Sequence, residues 1–299
     1  MVGVEEQLRV GLVGAGPWAT AVHAPGIADH PGTRLTSVWA RRPEAAAEIA
    51  HAHGAEVAST PDELLSSVDA VAFAVPPEVQ SVIAVKAAQQ GKHVILEKPI
   101  AATVDEAELL VAAVEQAGVA SLVLLTRRYA PETKELLTQL RRTGGWAGGD
   151  AQWLNGALLD GPYSHSPWRH ERGALHDLGP HVFDLLDIAL GTITDVVSAT
   201  VSDTGLWRLV FAHDGGATSS AAMSMSMPLQ PPVAELTVYG EHGYRRLSRG
   251  STSARDCYTL LLDDFVAMIH SRTTEHPLDV RRGLHLQRVI ELAASKAGR

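Results

Sequence analysis

A single cysteine, Cys257, is all the chain contains. No internal disulfide can form, and a reducing, cytoplasmic setting is expected. Cys257 has no flanking nucleophile motif and is read as packing. Long apolar runs are missing too, so no segment is expected to cross a bilayer. Met1-Val2-Gly3-Val4-Glu5-Glu6 lacks the basic start of a secretory leader. Positive charge is in deficit: the formal net charge is −9, which disfavours nonspecific attraction to nucleic acid or anionic lipid, so neither is an expected partner. Metal-ligand spacing is absent. His165, His170, His176 and His181 recur, but not at the three- or four-residue steps that set two ligands on one helix face, and no cysteine pair accompanies them. No metal is expected, and no internal repeat is present.

What remains is a chain of 299 residues, 45% hydrophobic and 20% charged. That balance suits a globular protein with a sizeable core, in one large or two ordinary domains. Its focus is Val94-Ile95-Leu96-Glu97-Lys98-Pro99. The apolar run reads as a buried strand, and Lys98 at its carboxyl end stands where open α/β sheets bind ligands. Pro99 removes a donor and turns the chain there. Alone, this stretch is equally readable as a solvated strand-end lysine before an ordinary turn.

The residues upstream favour the first reading. Leu8 to Val13 reads as a strand running into Gly14-Ala15-Gly16-Pro17-Trp18-Ala19 and then a helix. This is a dinucleotide fingerprint with alanine at its third small position: the glycines allow a tight turn and close approach of a pyrophosphate, and the helix N-terminus faces the anion. A second strand, Arg34 to Trp39, ends at Ala40-Arg41-Arg42. Where an acid would bind the ribose hydroxyls of NAD there are two arginines, suited to the additional phosphate of NADP. NADP(H) is the expected cofactor, with NAD(H) possible. Asp69 to Val75 is a third strand, closed by Pro76-Pro77 before a helix over about 78–90. The alternation continues with Lys92 to Leu96, a helix from Val104 to Gln116, and Ala120 to Leu125; Glu56-Val57-Ala58 is a shorter strand. A doubly wound parallel sheet over residues 1–126 is expected.

Residues 127–299 change character. After a helix from Glu132 to Arg142 come strand-like runs at Val196 to Val201, Leu206 to Phe211, Ala217 to Ser224 and Ala234 to Tyr239, without helices between them. They imply an open, mostly antiparallel sheet, making an α+β domain. Met223, Met225 and Met227 alternate at strand period and should line one face. Two helices, about 256–270 and 279–297, close the chain and are expected to pack back on the first domain. Within this half, Gly173 through Asp184 stands out. If Pro180 occupies a helix's first turn, Asp177 and His181, four residues apart, share one face. The pair is readable as a capping acid with a surface histidine, or as a proton-transferring imidazole tuned by a carboxylate.

Together these residues resemble the Gfo/Idh/MocA family of glucose-fructose oxidoreductase, inositol dehydrogenase and rhizopine-catabolism proteins. The resemblance rests on Gly14 through Ala19, His23-Ala24-Pro25, Gly91 to Val94 running into Glu97-Lys98-Pro99, Gly173 through Asp184, and Phe265 to Ile290 with His276-Pro277-Leu278-Asp279. It implies a Rossmann domain, a second domain whose open sheet joins subunits into a homodimer or homotetramer, and hydride transfer between a nicotinamide nucleotide and a hydroxyl or carbonyl carbon of a sugar, polyol or related small molecule. By resemblance Lys98, Asp177 and His181 are the catalytic residues. Gly14, Ala15, Gly16, Pro17, Trp18, Arg41, Arg42, Val75, Pro76, Pro77, Gln80, Glu97, Lys98, Trp168 and Arg169 fall on the nucleotide side. Gln80 stands where many members have histidine, and the Lys98-Pro99 bond is expected to be cis. Tyr163, His165 and Arg169 offer polar contacts to substrate. Two other readings stand beside the oxidoreductase: a nucleotide-binding scaffold without activity, and a redox-neutral hydrolase or lyase that uses NAD transiently.

Overall fold

The strands predicted from apolar runs owe their place to burial on both faces. Val10, Leu12 and Val13, Ala70 to Phe73, and Val94 to Leu96 are each 0% exposed, as strands covered by helices on either side must be. The computed structural model describes residues 7–248 and 250–298; the expectation for Met1 to Glu6 lies outside them. The described residues form two compact units, the first running up to Thr126 and taking in Ser253–Leu284, the second comprising Arg127–Thr252 and the chain from His285 onward.

In the first unit, β1 (Leu8–Val13) leads into a π-helical turn, Ala19–His23, and α1 (Ala24–Asp29). β2 (Thr33–Trp39), α2 (Pro43–His53), β3 (Glu56–Val57), α3 (Pro61–Ser67) and β4 (Ala70–Phe73) follow. The alternation ends with α4 (Pro77–Gln89), β5 (His93–Leu96), α5 (Val104–Ala117) and β6 (Ser121–Val123). The sheet order is β3-β2-β1-β4-β5-β6 and every pairing is parallel. The chain therefore winds outward from β1 in one direction, returns, and winds outward from β4 in the other. Between β1 and β4 lies the switch point, and the loops after β1, β4 and β5 share the carboxyl edge where such sheets take ligands. Side chains start the helices: Thr60 Oγ1 accepts from the Glu63 amide at 3.1 Å, and Thr103 Oγ1 from the Glu106 amide at 3.2 Å. Each satisfies one amide that the helix cannot.

The second unit opens with α6 (Thr126–Tyr129), α7 (Pro131–Thr143) and β7 (Trp146–Leu154), then α8 (Pro167–Asp177) and α9 (Gly179–Leu190). β8 (Ile193–Val201), β9 (Trp207–His213), β10 (Thr218–Ser224), β11 (Val233–Gly240) and β12 (Gly243–Leu247) complete a sheet of order β12-β11-β7-β10-β9-β8. It is mostly antiparallel; the β7–β10 pair is parallel. Helix α9 is buried along its length because it lies on this sheet, with Phe183 edge-on to Phe211 of β9 at 5.2 Å. Arg128 clamps Asp184 of α9 with two bonds from Nη1 at 2.9 and 3.1 Å, both side chains buried.

β7 and β12 are additions to the strands expected from sequence. Gly148-Gly149 lies mid-strand in β7, where a Cβ on Gly149 would come within 2.6 Å of the Thr237 carbonyl oxygen. The methionine stripe also ends early. Met223 is in β10 and buried, but β10 stops at Ser224, and Met225 and Met227 enter a loop whose backbone bonds to residues 155 and 158. Finally, α10 (Ala254–Ser271) belongs to the first unit, and α11 (Val280–Lys296) follows it. The bend between them adds to the parallel sheet: the Val123 amide donates to the Leu278 carbonyl at 2.8 Å, and the Val280 amide to Ser121 Oγ at 3.1 Å. Among the described residues, no helix is long and apolar enough to cross a membrane.

Candidate active site

Gly14 leaves β1 with φ 120°, and its amide donates to the Trp39 carbonyl at 2.8 Å. A Cβ here would lie 2.4 Å from the Ala74 oxygen, so the turn after β1 can press against the end of β4 only with glycine. Nothing lies within 4 Å of where a Gly16 Cβ would be, and Ala15 and Gly16 are half-buried while Pro17 is exposed. Helical geometry begins at residue 17, directly after this opening, so the helix N-terminus follows the glycines. A flat, glycine-lined opening before a helix N-terminus fits a dinucleotide pyrophosphate, which needs close backbone approach and amide donors. The helix is not the plain α-helix the fingerprint suggests, since residues 19–23 take a π-helical turn, a local widening often found at functional sites.

Around this opening the expected residues take distinct positions. Val75 and Pro76 are half-buried after β4, whereas Pro77 is buried in the first turn of α4. Arg41 and Arg42 are exposed just past β2, with Pro43 starting α2. Lys98 follows β5, and the Lys98–Pro99 bond is cis.

Gln80 requires a correction. It is 0% exposed and offers no surface to a nucleotide. Its Nε2 instead donates to the carbonyls of Glu97, Ile100 and Pro99 at 2.8, 3.1 and 3.3 Å, and its Oε1 accepts from the Glu97 amide at 2.8 Å. One buried amide thus holds the backbone on both sides of Lys98. Glu97 is likewise turned inward, its side chain 13% exposed. Oε1 accepts from Trp18 Nε1 at 2.6 Å and meets His23 Nε2 at 2.9 Å, while Oε2 takes the Lys98 amide at 3.3 Å. The other ring nitrogen of His23 faces the Tyr258 hydroxyl at 3.1 Å. Burial first, and then the Glu97 charge, push the Tyr258 phenol well above its ordinary range, so the hydroxyl keeps its proton.

In the second unit, Pro180 does sit in the first turn of a helix, α9. Asp177 and His181, however, do not share one helix. Asp177 is the last residue of α8, Leu178 intervenes, and His181 lies in the opening turn of α9. α8 is itself broken at Gly173, with φ 65° and ψ −161°. Asp177 and His181 are both 8% exposed. The His181 ring stacks on Trp153 of β7, centroids 5.3 Å apart and planes 29° from parallel. Asp177 Oδ1 is 3.4 Å from Arg169 Nε. The Arg169 guanidinium lies over two aromatic rings, 4.6 Å from the Trp168 centroid and 4.5 Å from the Tyr163 centroid, and Nη1 donates to Ser166 Oγ at 3.3 Å. Arg169 is therefore a prepaid partner of Asp177, oriented by two aromatic faces. His165 is exposed. His176 accepts burial as a neutral ring: desolvation holds its pKa down to about 4, and Nδ1 bonds the Arg172 carbonyl at 3.1 Å.

Sequence reasoning missed Trp153, because β7 was hidden behind its glycines; the alternation of Ala151 and Trp153 was the available signal. It also missed Tyr258, for which no local pattern exists. Among the described residues, no group of three metal-ligating side chains comes together.

Residues 8–124 match the model of an oxidoreductase family with an NAD-binding Rossmann fold, Gfo/Idh/MocA. Over this segment the chain is similar to the nucleotide-binding part of that family. It is 27% identical over 214 residues to Oxidoreductase P35 of Formosa agariphila, an alignment covering 64% of this chain and 64% of that protein. The chain thus spans less than two thirds of that relative. It is 26% identical over 331 aligned positions to the dTDP-3,4-didehydro-2,6-dideoxy-alpha-D-glucose 3-reductase of Streptomyces antibioticus, with 96% of this chain and 97% of the other covered. Its fold is that of GenD2 from gentamicin A biosynthesis, solved in complex with NAD: TM-score 0.86 and 23% identity over 99% of this chain and 96% of that one.

Proposed function

We propose that this chain is a member of the Gfo/Idh/MocA family and an oxidoreductase that transfers a hydride between nicotinamide C4 and a hydroxyl or carbonyl carbon of a sugar, polyol or related small molecule, with NADP(H) preferred. The observation that carries the reading is the carboxyl edge of the parallel sheet, where the glycine-lined opening after β1 and the braced Lys98 loop after β5 flank the loop after β4. A nicotinamide nucleotide, when bound, supplies the hydride acceptor or donor. Gly14, Ala15, Gly16, Pro17 and Trp18 would hold its pyrophosphate, Val75 and Pro76 would border it, and Trp168 and Arg169 are assigned to the cofactor as well. Arg41 and Arg42, exposed at the end of β2, support the preference for a 2′-phosphate.

The chemistry assigned to the chain's own groups is as follows. His181 takes the hydroxyl proton of an alcohol, or returns it to an alkoxide in the reverse direction; an imidazole titrates in the right range for either. Lys98 hydrogen-bonds the same substrate oxygen and lowers its proton affinity. Asp177, held by Arg169, orients substrate or imidazole. Tyr163, His165 and Arg169 are the candidate substrate contacts. Several relatives carry names of sugar or polyol dehydrogenases, which supports the substrate class.

The protein is further proposed to form a homodimer or homotetramer through the second unit's sheet, whose strands expose Val197, Val210, Tyr239 and Tyr244. Light scattering on the purified chain tests this, and a monomer at micromolar concentration contradicts it. The activity is tested by following nicotinamide absorbance during turnover against a panel of sugars, polyols and their keto forms. The expected result is absorbance change matched one-to-one by substrate conversion. Conversion with unchanged absorbance would replace hydride transfer by a redox-neutral reaction.

A further inference from the structure

The Glu97 carboxylate collects three donors that come from separate places in the sequence. Trp18 belongs to the glycine-rich turn, His23 to the π-helical turn, and the Lys98 amide to the loop after β5. A carboxylate only accepts, so His23 Nε2 donates to it, and the other ring nitrogen, Nδ1, is paired with the Tyr258 hydroxyl. His23 thereby links Tyr258 to Glu97, and Trp18 joins at the same carboxylate oxygen. His23 and Tyr258 are both 0% exposed, and a fully satisfied buried network of this kind rigidifies what it holds. Gln80 grips the backbone of the same loop from the opposite direction.

A carboxylate at this depth is costly unless it is paired and hydrogen-bonded, and here all three donors are spent on it. What it holds is Lys98 on one side and the turn next to Gly16 on the other. We propose that Glu97 is the positioning residue that fixes Lys98 relative to the dinucleotide opening, with Trp18 and His23 as its two anchors and Tyr258 as the outer support. The inference rests on the functional reading above, in which Lys98 acts on substrate and the opening takes the nucleotide. Trp18, by this account, serves the site through its indole N–H to Glu97 in addition to bordering the pyrophosphate.

Amine acylation reads this directly, without substrate. The sequence has five lysines, Lys86, Lys92, Lys98, Lys134 and Lys296, so each can be followed by peptide mass spectrometry after a pulse of N-hydroxysuccinimide acetate. Glu97→Gln, Trp18→Phe and Tyr258→Phe are compared with wild type, in the full chain, with and without NADPH. Release of Lys98 should raise its acylation rate relative to Lys86 and Lys92 in that order: about tenfold for Glu97→Gln, less for Trp18→Phe, and about twofold for Tyr258→Phe. NADPH affinity in Tyr258→Phe should stay within about threefold of wild type. A merely structural role would raise all the lysines together as stability falls. Unchanged relative reactivity of Lys98 in Glu97→Gln, or in Trp18→Phe should Glu97→Gln not fold, overturns the proposal. Failure of wild type to bind NADPH or NADH would instead remove the functional reading while leaving the Lys98 reactivities to be judged by the same ratio.

Discussion

The two units build their candidate residues in opposite ways. In the first, the proposed nucleotide opening is made of backbone: a glycine at φ 120° pressed against the end of β4, a turn open around Gly16, and a lysine loop whose carbonyls and amide are gripped by Gln80. In the second, Asp177 and His181 are placed by side chains, one against an Arg169 that lies over two aromatic rings, the other against the Trp153 ring. A backbone-built site tolerates almost no substitution at its turn but leaves its outer residues free to vary, which suits a common cofactor. A side-chain-built site can be retuned by exchanging neighbours, which suits substrates that differ among relatives. The division of labour follows: the first unit's glycine turn should govern nucleotide binding, and the reaction should fall to Lys98 at the first unit's edge and to the second unit's Asp177 and His181.

That division can be broken most sharply at the proposed catalytic residues. Lys98→Ala and His181→Ala are each expected to lose about 10²–10⁴-fold in kcat, the usual worth of a positioned proton-transferring group or a charge on the reacting oxygen, while NADPH titration of both variants gives a Kd near wild type. If His181→Ala weakened NADPH as much as a change in the glycine turn does, the contrast would fail. The next largest effect is Gly14→Ala. The clash with the Ala74 oxygen and the forbidden φ cost about 1–3 kcal/mol, expected as roughly 100-fold weaker NADPH binding, with His181 and its Trp153 stack unaffected by near-ultraviolet circular dichroism.

How much of this was readable beforehand depends on where the determinants lie. The parallel sheet was legible because continuous apolar strands and glycine or proline stops are local signals, and so were Gly14, Gly16 and Lys98. The break between Asp177 and His181 was not, since Pro180 was correctly placed in a first helical turn but nothing local says that α8 ends only two residues before α9 begins. Gln80 was assigned to the nucleotide from its place in the chain, whereas its partners are backbone atoms 17–20 residues away that only the fold brings near. Tyr258 lies 235 residues from His23 and carries no motif. Strand β7 was concealed because its paired glycines, poor strand formers, are there to let neighbouring strands approach.

Smaller effects sharpen the comparison. Arg41→Ala is expected to weaken NADPH binding about tenfold, as loss of a charge-assisted contact does, and to leave NADH binding unchanged. In the second unit, His176 gives a pH signature. Its folded pKa of about 4 lies below the ordinary 6.5, so between these values the unfolded chain binds more protons than the folded one, and stability falls as pH drops from about 6.5 toward 4. Replacing His176 with glutamine should flatten that part of a thermal-melting profile and leave the region above pH 7 as it was; an unchanged acid limb would show that His176 is not responsible.

The most direct measurement is an equilibrium titration of the purified wild-type protein with NADPH and, separately, with NADH, followed by tryptophan fluorescence, since Trp18 borders the glycine turn. The account predicts saturable quenching by both, with NADPH the tighter ligand and its advantage lost in Arg41→Ala. Binding of neither nucleotide would contradict the reading of the first unit and the function built on it.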